Sequence, residues 1–206
     1  MLGYPKKVRG VIKSKNMPEL SPSISLLPKL TGRIFDIADT VSQFQLEPGM
    51  RAADFGSGSG YFTVEMARAV GEGGVITAID ILDSALEATR SRAGLAGVKN
   101  IQLVRANLEV WGSTYLADDS EDFVLLKNIL FQNDQKLPII KEAKRVLRPG
   151  GRLVIIDWDK GKGGLGPPDE YRTPKETILS LAGQEGFNFE KDIAVDAYHF
   201  GLMFRK

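Results

Sequence analysis

The stretch DFGSGSG, residues 54–60, contains three glycines and two serines directly behind an acid and an aromatic residue. The apolar run RAADF (51–55) leads into it, and residues 61–70 follow with apolar side chains at helical spacing. A strand, a glycine turn and a helix in this order mark the place where open α/β sheets bind ligands. Glycines there let a ligand approach the backbone, because no Cβ obstructs it.

Two common phosphate-binding motifs do not fit this turn. A P-loop ends in Gly-Lys-Ser/Thr, whereas Gly60 is followed by Tyr61, Phe62 and Thr63. A dinucleotide turn requires a third glycine where Tyr61 stands. The pattern D-x-G-x-G-x-G remains, and a tight strand-to-helix turn without a ligand is its structural alternative.

From Arg51 onward, strands and helices are predicted to alternate. Near-continuous apolar runs predict strands that are covered on both faces. Strands are predicted at 51–55, 75–80, 101–106, 122–128 and 151–158, and helices at 61–70, 83–96 and 136–147. This order predicts an α/β fold with a doubly wound, mostly parallel sheet.

The C-terminal part completes the predicted sheet. Two further strands near 187–195 and 198–205 are joined at Asp196-Ala197, and so short a link requires an antiparallel pair. We therefore expect seven strands, of which the C-terminal one is antiparallel. Before them, TPKE (173–176) predicts a capping box for a helix that ends near Gly186.

Residues 1–30 differ from the rest of the chain. They combine lysines and an arginine with three prolines, which predicts an extended N-terminal arm or lid, with a solvated tail as the alternative. Residues 31–206 are predicted to form a single domain whose first helix covers 31–44.

The composition argues against several classes of protein and of binding site. Lys plus Arg is 27 and Asp plus Glu is 26, a balance that argues against a dedicated nucleic-acid binder. The chain has no cysteine and one histidine, His199, so we expect no metal centre. No apolar run approaches the roughly 18 residues that cross a bilayer, and the N-terminus lacks a secretory signal, so a cytoplasmic protein is expected.

The whole pattern from about Leu46 to Trp158 resembles the class I S-adenosylmethionine-dependent methyltransferases. DFGSGSG is similar to their first motif, and AID, ANLE and SEDFVLL (120–126) follow in the family's order. RVLRPGGRLVIID (145–157) is similar to the small-molecule members, including the quinone-biosynthesis methyltransferase group. The resemblance implies a Rossmann-like methyltransferase fold, S-adenosylmethionine as cofactor and S-adenosylhomocysteine as product.

The resemblance also implies a set of cofactor-binding residues. They are Asp54, Gly56, Ser57, Gly58, Gly60, Asp80, Ile81, Asn107, Leu108 and Asn128. The N–H groups around Ser57 to Gly60 would face the amino-acid end of the cofactor, with the Asp54 carboxylate near its ammonium or a bound water. Asp80 would accept from the ribose hydroxyls, through charged hydrogen bonds that contribute roughly 1.5–3 kcal/mol. Ile81, Asn107 and Leu108 would contact the adenine.

Catalytic residues are harder to predict, because methyl transfer from a sulfonium by in-line displacement depends mainly on alignment. A base is needed only if the nucleophile holds a proton. His199, Tyr198 and Asp159 are the candidates, since the topology brings them to the carboxyl edge of the sheet. A half-buried strand histidine is the alternative interpretation of His199.

The acceptor is not fixed by the sequence. After the fourth strand, Asn128 matches the Asn/Asp-Pro-Pro-Tyr/Phe pattern of amino-directed methyltransferases, but Ile129 and Leu130 replace its prolines. Phe131 and Gln132 stand where the small-molecule group often has histidines. We expect a small, partly apolar acceptor. The alternatives are a protein or RNA acceptor docked by the basic arm, a non-catalytic cofactor-binding protein and a nicotinamide enzyme. The oligomeric state is left open.

Overall fold

The computed structural model describes residues 36–206. The predicted arm or lid at 1–30 lies outside the described residues. Residues 31–35 of the first predicted helix lie outside them as well. Asp36 is extended, and its carboxylate accepts from the N–H of Asp39 at 3.1 Å. This cap starts the helix at Ile37.

The described part of the chain forms five α-helices and seven strands. The helices are α1 (Ile37–Ser42), α2 (Tyr61–Val70), α3 (Asp83–Ala96), α4 (Lys136–Val146) and α5 (Lys175–Gln184). The strands are β1 (Arg51–Phe55), β2 (Val75–Asp80), β3 (Ile101–Arg105), β4 (Glu121–Lys127), β5 (Leu147–Trp158), β6 (Asn188–Ile193) and β7 (His199–Arg205).

All seven strands form one sheet in the order β3-β2-β1-β4-β5-β7-β6. The first five are parallel to one another, and β7 runs antiparallel to both β5 and β6. The predicted fold class is therefore confirmed. The antiparallel register places His199 opposite Trp158, so the start of β7 lies at the same edge as the carboxyl ends of the parallel strands.

Two apolar layers cover the sheet. Side chains of α4 and α5 pack on one face with Phe55, Leu126 and Leu202. Side chains of α1 and α2 pack on the other, where Phe44 stacks on Phe123 with ring centroids 5.3 Å apart. Burial on both faces explains why most strands are continuous apolar runs rather than alternating ones.

Two local predictions were wrong. Strand β5 begins at Leu147 rather than Gly151, because Leu147 already pairs with Glu121 before the register shifts at the RPGG segment. Helix α5 begins at Lys175 with Pro174 at the cap and no side-chain capping bond. The predicted capping box fails because Thr173 lies one position before the cap. Gly186 follows the helix with φ of +78°, as predicted.

Candidate active site

The glycine turn connects β1 to α2 and is tied to the neighbouring strand and helix. The N–H groups of Gly56 and Ser57 both donate to the carbonyl of Ile79, at 2.8 and 3.0 Å. Gly60 has φ of +77°, and a Cβ on it would lie 2.9 Å from Cα of Thr89 in α3. Only glycine fits this position, so the close packing of the turn on α3 explains the third glycine.

Asp80 joins the end of β2 to this turn. Its carboxylate accepts from the N–H of Gly58 at 2.9 Å and from the N–H of Leu82 at 3.0 Å. Each carboxylate oxygen has two acceptor positions, so each keeps one for a ligand hydroxyl. Beside it, Ile81 and Leu82 expose 52% and 59% of their surface, which gives the edge an apolar ledge.

The N–H groups of the turn are used differently from the sequence expectation. Those around Ser57 to Gly60 were expected to face a ligand, but the N–H groups of Ser57, Gly58 and Gly60 already have partners within the chain, as has that of Gly56. The turn closes on itself in this way because Ile79 and Asp80 supply acceptors. The Ser57 hydroxyl, in contrast, is buried without a hydrogen-bond partner. It is the polar group of the turn that still requires one.

Asp54 lies beneath the turn and is almost fully buried. Its carboxylate accepts from the hydroxyl of Thr63 in α2 at 2.5 Å. Burial raises the pKa of Asp54 to about 6, although the Thr63 hydrogen bond and the nearby Lys127 ammonium oppose the rise. Asp54 therefore anchors α2 under the turn, and its partner Thr63 was not identified from the sequence.

The segment that follows β3 lies at the same edge of the sheet. The Asn107 amide oxygen accepts from the N–H of Glu109 at 3.0 Å, which closes an Asx turn. Asn107 is exposed, whereas the side chain of Leu108 belongs to the core beneath β4 and α4. The turn interpretation of Asn107 is therefore directly supported, and an adenine contact stays a prediction.

A second polar cluster lies across the sheet, where β4 ends and β7 begins. Asn128 has the left-handed φ of +54°, and its amide nitrogen lies 3.2 Å from Nε2 of His199. The other ring nitrogen, Nδ1, lies 2.8 and 2.9 Å from the two carboxylate oxygens of Asp196. The indole of Trp158 packs on the imidazole with ring centroids 4.0 Å apart. His199 and Asn128, which were predicted separately, thus belong to one cluster.

Charges surround this cluster. Burial lowers the pKa of Lys127, while the carboxylates of Asp196, Asp54 and Asp157 oppose the change. Asp157 is fully buried and accepts from the N–H groups of Phe131 and Trp158 at 3.1 and 2.8 Å. Burial raises its pKa to about 6.

The other two catalytic candidates are linked through their backbones. The N–H of Asp159 donates to the carbonyl of Tyr198 at 2.8 Å, and the Tyr198 N–H donates to Asp196 at 2.8 Å. These bonds hold both residues next to the histidine cluster, but they engage main-chain groups rather than the Asp159 carboxylate or the Tyr198 phenol. Catalytic roles for Tyr198 and Asp159 therefore stay predictions.

Arg172 organises the loop between β5 and α5. The buried guanidinium donates to the carbonyls of Asp159, Lys162 and Pro167 at 2.7, 2.6 and 3.0 Å, and also to that of Leu165. Its central carbon lies 5.5 Å from the centre of the Trp158 ring. The loop therefore folds around Arg172 beside the histidine cluster.

Asp196 and Arg172 are site residues that were not identified from the sequence. Asp196 appeared only as a turn residue, although an acid three positions before the single histidine was a usable signal. Arg172 had none, because its partners are backbone carbonyls. Within residues 36–206, no three His, Asp or Glu side chains are grouped to hold a metal ion. No helix in that same part of the chain is long and apolar enough to span a membrane.

The fold and the acid-led glycine turn define a cofactor-binding domain of the methyltransferase type. The methyltransferase domain family matches residues 46–178, and the chain belongs to that family. The resemblance to class I S-adenosylmethionine-dependent methyltransferases is thereby confirmed.

Among curated proteins, the chain is similar to C-methyltransferases of quinone biosynthesis. The ubiquinone/menaquinone biosynthesis C-methyltransferase UbiE of Shewanella pealeana is 33% identical over 122 residues, which are 59% of this chain and 47% of that protein. The same enzyme of a Marinomonas species is 32% identical over 61% of this chain and 49% of its own length. The chain thus spans about half the length of the curated relatives it matches.

Solved structures agree with the fold. An S-adenosylmethionine-dependent methyltransferase from Aquifex aeolicus superposes with a TM-score of 0.76 at 26% identity, covering 83% of this chain and 89% of its own. The [4+2]-cyclase SpnF shares the fold with a TM-score of 0.68 at 17% identity, covering 82% and 79% of the two chains. The fold alone therefore does not decide the reaction.

Proposed function

We propose that the protein is an S-adenosylmethionine-dependent methyltransferase that transfers a methyl group to a small, partly apolar acceptor. The observation that carries the proposal is the hydrogen bond between Gly58 and Asp80, 2.9 Å long. It fixes the Asp80 carboxylate beside the glycine turn, in which the Ser57 hydroxyl is buried without a hydrogen-bond partner, and Ile81 and Leu82 follow directly as the exposed ledge. These features match the parts of S-adenosylmethionine in chemistry: the carboxylate suits the two ribose hydroxyls, the Ser57 hydroxyl suits the polar amino-acid end, and the apolar ledge suits the adenine face.

The residues of the chain would act mainly by binding and alignment. When bound, S-adenosylmethionine supplies a methyl group on a sulfonium, which needs no further activation. Asp80 would hold the ribose hydroxyls, and the glycine turn would hold the amino-acid end. Holding the two reactants in line can lower the activation barrier by about 7–11 kcal/mol. The polar cluster of Asn128 and His199 would lie on the acceptor side.

Two features support a small, partly apolar acceptor. The edge beyond β4 and β5 presents the indole of Trp158, which is half-buried between His199 and Arg172. The curated relatives carry the name of ubiquinone/menaquinone biosynthesis C-methyltransferases, and quinol rings are small and partly apolar. A protein or RNA acceptor depends on the basic arm, which lies outside the described residues.

The test is a transfer assay with S-adenosylmethionine labelled in its methyl carbon. We expect label to enter a small hydroquinone such as 1,4-dihydroxynaphthalene, and not a lysate protein or RNA fraction. Calorimetry with S-adenosylhomocysteine and with NAD runs beside it. Binding of NAD alone would contradict the proposal, as would label that enters only macromolecules.

A further inference from the structure

The single histidine of the chain is held from both ring nitrogens. Both carboxylate oxygens of Asp196 lie within 2.9 Å of Nδ1, so the carboxylate accepts a hydrogen bond from Nδ1–H. The amide of Asn128 faces Nε2 with its nitrogen, at 3.2 Å. A neutral imidazole has one donor and one acceptor nitrogen, so these two partners select the form with Nδ1 protonated and Nε2 unprotonated.

The backbone is shaped for this contact. Asn128 has φ of +54°, an uncommon conformation for a residue with a side chain. Asp196 also accepts from the N–H groups of Tyr198 and His199 at 2.8 and 2.9 Å, so the turn before β7 fixes the carboxylate. A strained residue on one side and a braced carboxylate on the other point to function rather than to packing alone.

The Asn128 amide has an unused oxygen. Its Oδ1 is buried and has no hydrogen-bond partner. The nitrogen of the amide suits a neutral His199, and a half-turn of the amide would bring the oxygen to an Nε2–H. The same side chain can therefore serve the imidazole before and after it gains a proton.

We propose that His199 is the general base of the transfer, that Asp196 and Asn128 are positioning residues that keep its Nε2 unprotonated, and that the acceptor therefore carries a dissociable proton. This inference rests on the proposed function and narrows its acceptor to compounds such as phenols and hydroquinones. Tertiary amines, which have no proton to lose, are excluded.

The proposed step balances without another reactant. The acceptor hydroxyl first displaces the Asn128 amide from Nε2. Its proton then moves to Nε2 of His199, which becomes an imidazolium paired with Asp196. The electron pair left on the acceptor forms the bond to the transferred methyl carbon, directly from oxygen or through the conjugated ring carbon. The methyl–sulfur bond breaks and sulfur keeps its electron pair. The imidazolium then releases its proton to solvent, as does a ring carbon that has been methylated.

The charges around His199 agree with a base that is ready at neutral pH. Burial lowers the pKa of His199 and so do the cations Lys127 on β4 and Arg172 before α5, whereas Asp196 opposes them. Trp158, which packs on the ring from β5, is uncharged. Without Asp196 the pKa should fall further, and the acid limb of the rate profile should move to lower pH.

The first measurement is a long-range ¹H–¹⁵N spectrum of the full chain, made with a histidine-free affinity tag. Because the chain has one histidine, every imidazole signal belongs to His199. We expect the neutral form with Nδ1 protonated, and a lower pKa together with more of the Nε2–H form in Asp196→Asn. The matched control is Asp192→Asn, which removes an exposed carboxylate from β6 and should leave the spectrum unchanged. A wild-type imidazole protonated on Nε2 would overturn the proposal, whether or not the variant folds.

The second measurement is turnover. With 1,4-dihydroxynaphthalene, His199→Gln should lower kcat by about 10²- to 10⁴-fold, while calorimetry shows unchanged binding of S-adenosylhomocysteine. Asp196→Asn should lower kcat and shift the acid limb to lower pH. A kcat within threefold of wild type in His199→Gln overturns the base. Transfer only to N,N-dimethylglycine, or to neither compound with the cofactor bound, overturns the acceptor class. If the wild type does not bind the cofactor, the proposed function is refuted instead. The ¹H–¹⁵N spectrum then tests the protonated nitrogen of His199 by itself.

Discussion

The hydroxyl of Thr63 donates to the carboxylate of Asp54 at 2.5 Å, in the buried layer between β1 and α2. Both side chains are at most 2% exposed. A buried carboxyl without such a donor costs free energy, so this contact links the acid that leads the glycine turn to the helix behind it. The glycine turn is thus supported from below as well as from α3.

Replacing Thr63 by valine should test this support. Thr63→Val leaves Asp54 without its donor, so the pKa of Asp54 should rise further and the free energy of unfolding should fall by about 1–3 kcal/mol. Urea denaturation measures the loss. The control is Thr77→Val, because the Thr77 hydroxyl is equally buried but has no hydrogen-bond partner. A Thr63→Val protein as stable as Thr77→Val would contradict this account.

Asp157 should make stability depend on pH in a defined direction. Burial raises its pKa from 3.8 in an unfolded chain to about 6 in the folded one. The folded state therefore holds the proton more tightly, and the stability linked to this proton is lost as pH rises from about 4 through about 6. Relative to Asp157→Asn, the wild type should lose about 2–3 kcal/mol over this range, at 1.36 kcal/mol per pKa unit. Urea midpoints at pH 4, 5, 6 and 7 give the comparison, and parallel curves would refute the assigned pKa.

The third glycine of the turn should tolerate no side chain. In Gly60→Ala, the left-handed backbone costs about 1–2 kcal/mol, and contact with Thr89 adds about 1–3 kcal/mol. Gly97→Ala is the control, since Gly97 has φ of +69° and a methyl group there would meet no atom within 4 Å. Thermal unfolding should give a larger drop in Tm for Gly60→Ala. Equal drops would mean that the packing on α3 is not what requires glycine.

Arg172 should hold the loop at 159–167 through its planar group of donors. Lysine cannot reach several carbonyls at once, so Arg172→Lys should free this loop. Trypsin should then cleave faster after Lys160 and Lys162, both of which are exposed. Arg90→Lys, at an exposed ion pair on α3, is the matched control. Unchanged cleavage in Arg172→Lys would show that the loop is held by other contacts.

Most of the fold was predictable because the burial of each element determines the pattern of apolar residues in its sequence. Strands covered on both faces are continuous apolar runs, and the link at Asp196-Ala197 is too short for anything but an antiparallel pair. The errors fell at element ends. Thr173 looked like a cap, yet the helix starts one residue too late for its hydroxyl to act.

The candidate site was predictable only in part. Motif spacing indicated Asp54, Asp80 and the glycines as candidates, because the residues that shape a turn are local in sequence. Asp196 and Asn128 meet at His199, and Asn128 is 71 residues away from it along the chain. Contacts of this kind depend on strand order and register, which a hydrophobic pattern specifies only after the sheet is assembled.

The most direct test of the whole account is calorimetric titration of the full chain with S-adenosylhomocysteine. We expect binding by the wild type, and an affinity about 10- to 100-fold weaker in Asp80→Asn, which loses one charged acceptor. Asp83→Asn, an exposed acid three residues further on, should bind like the wild type. Binding that is absent from the wild type, or equal in Asp80→Asn and the wild type, would contradict the claim that this edge of the sheet holds the cofactor.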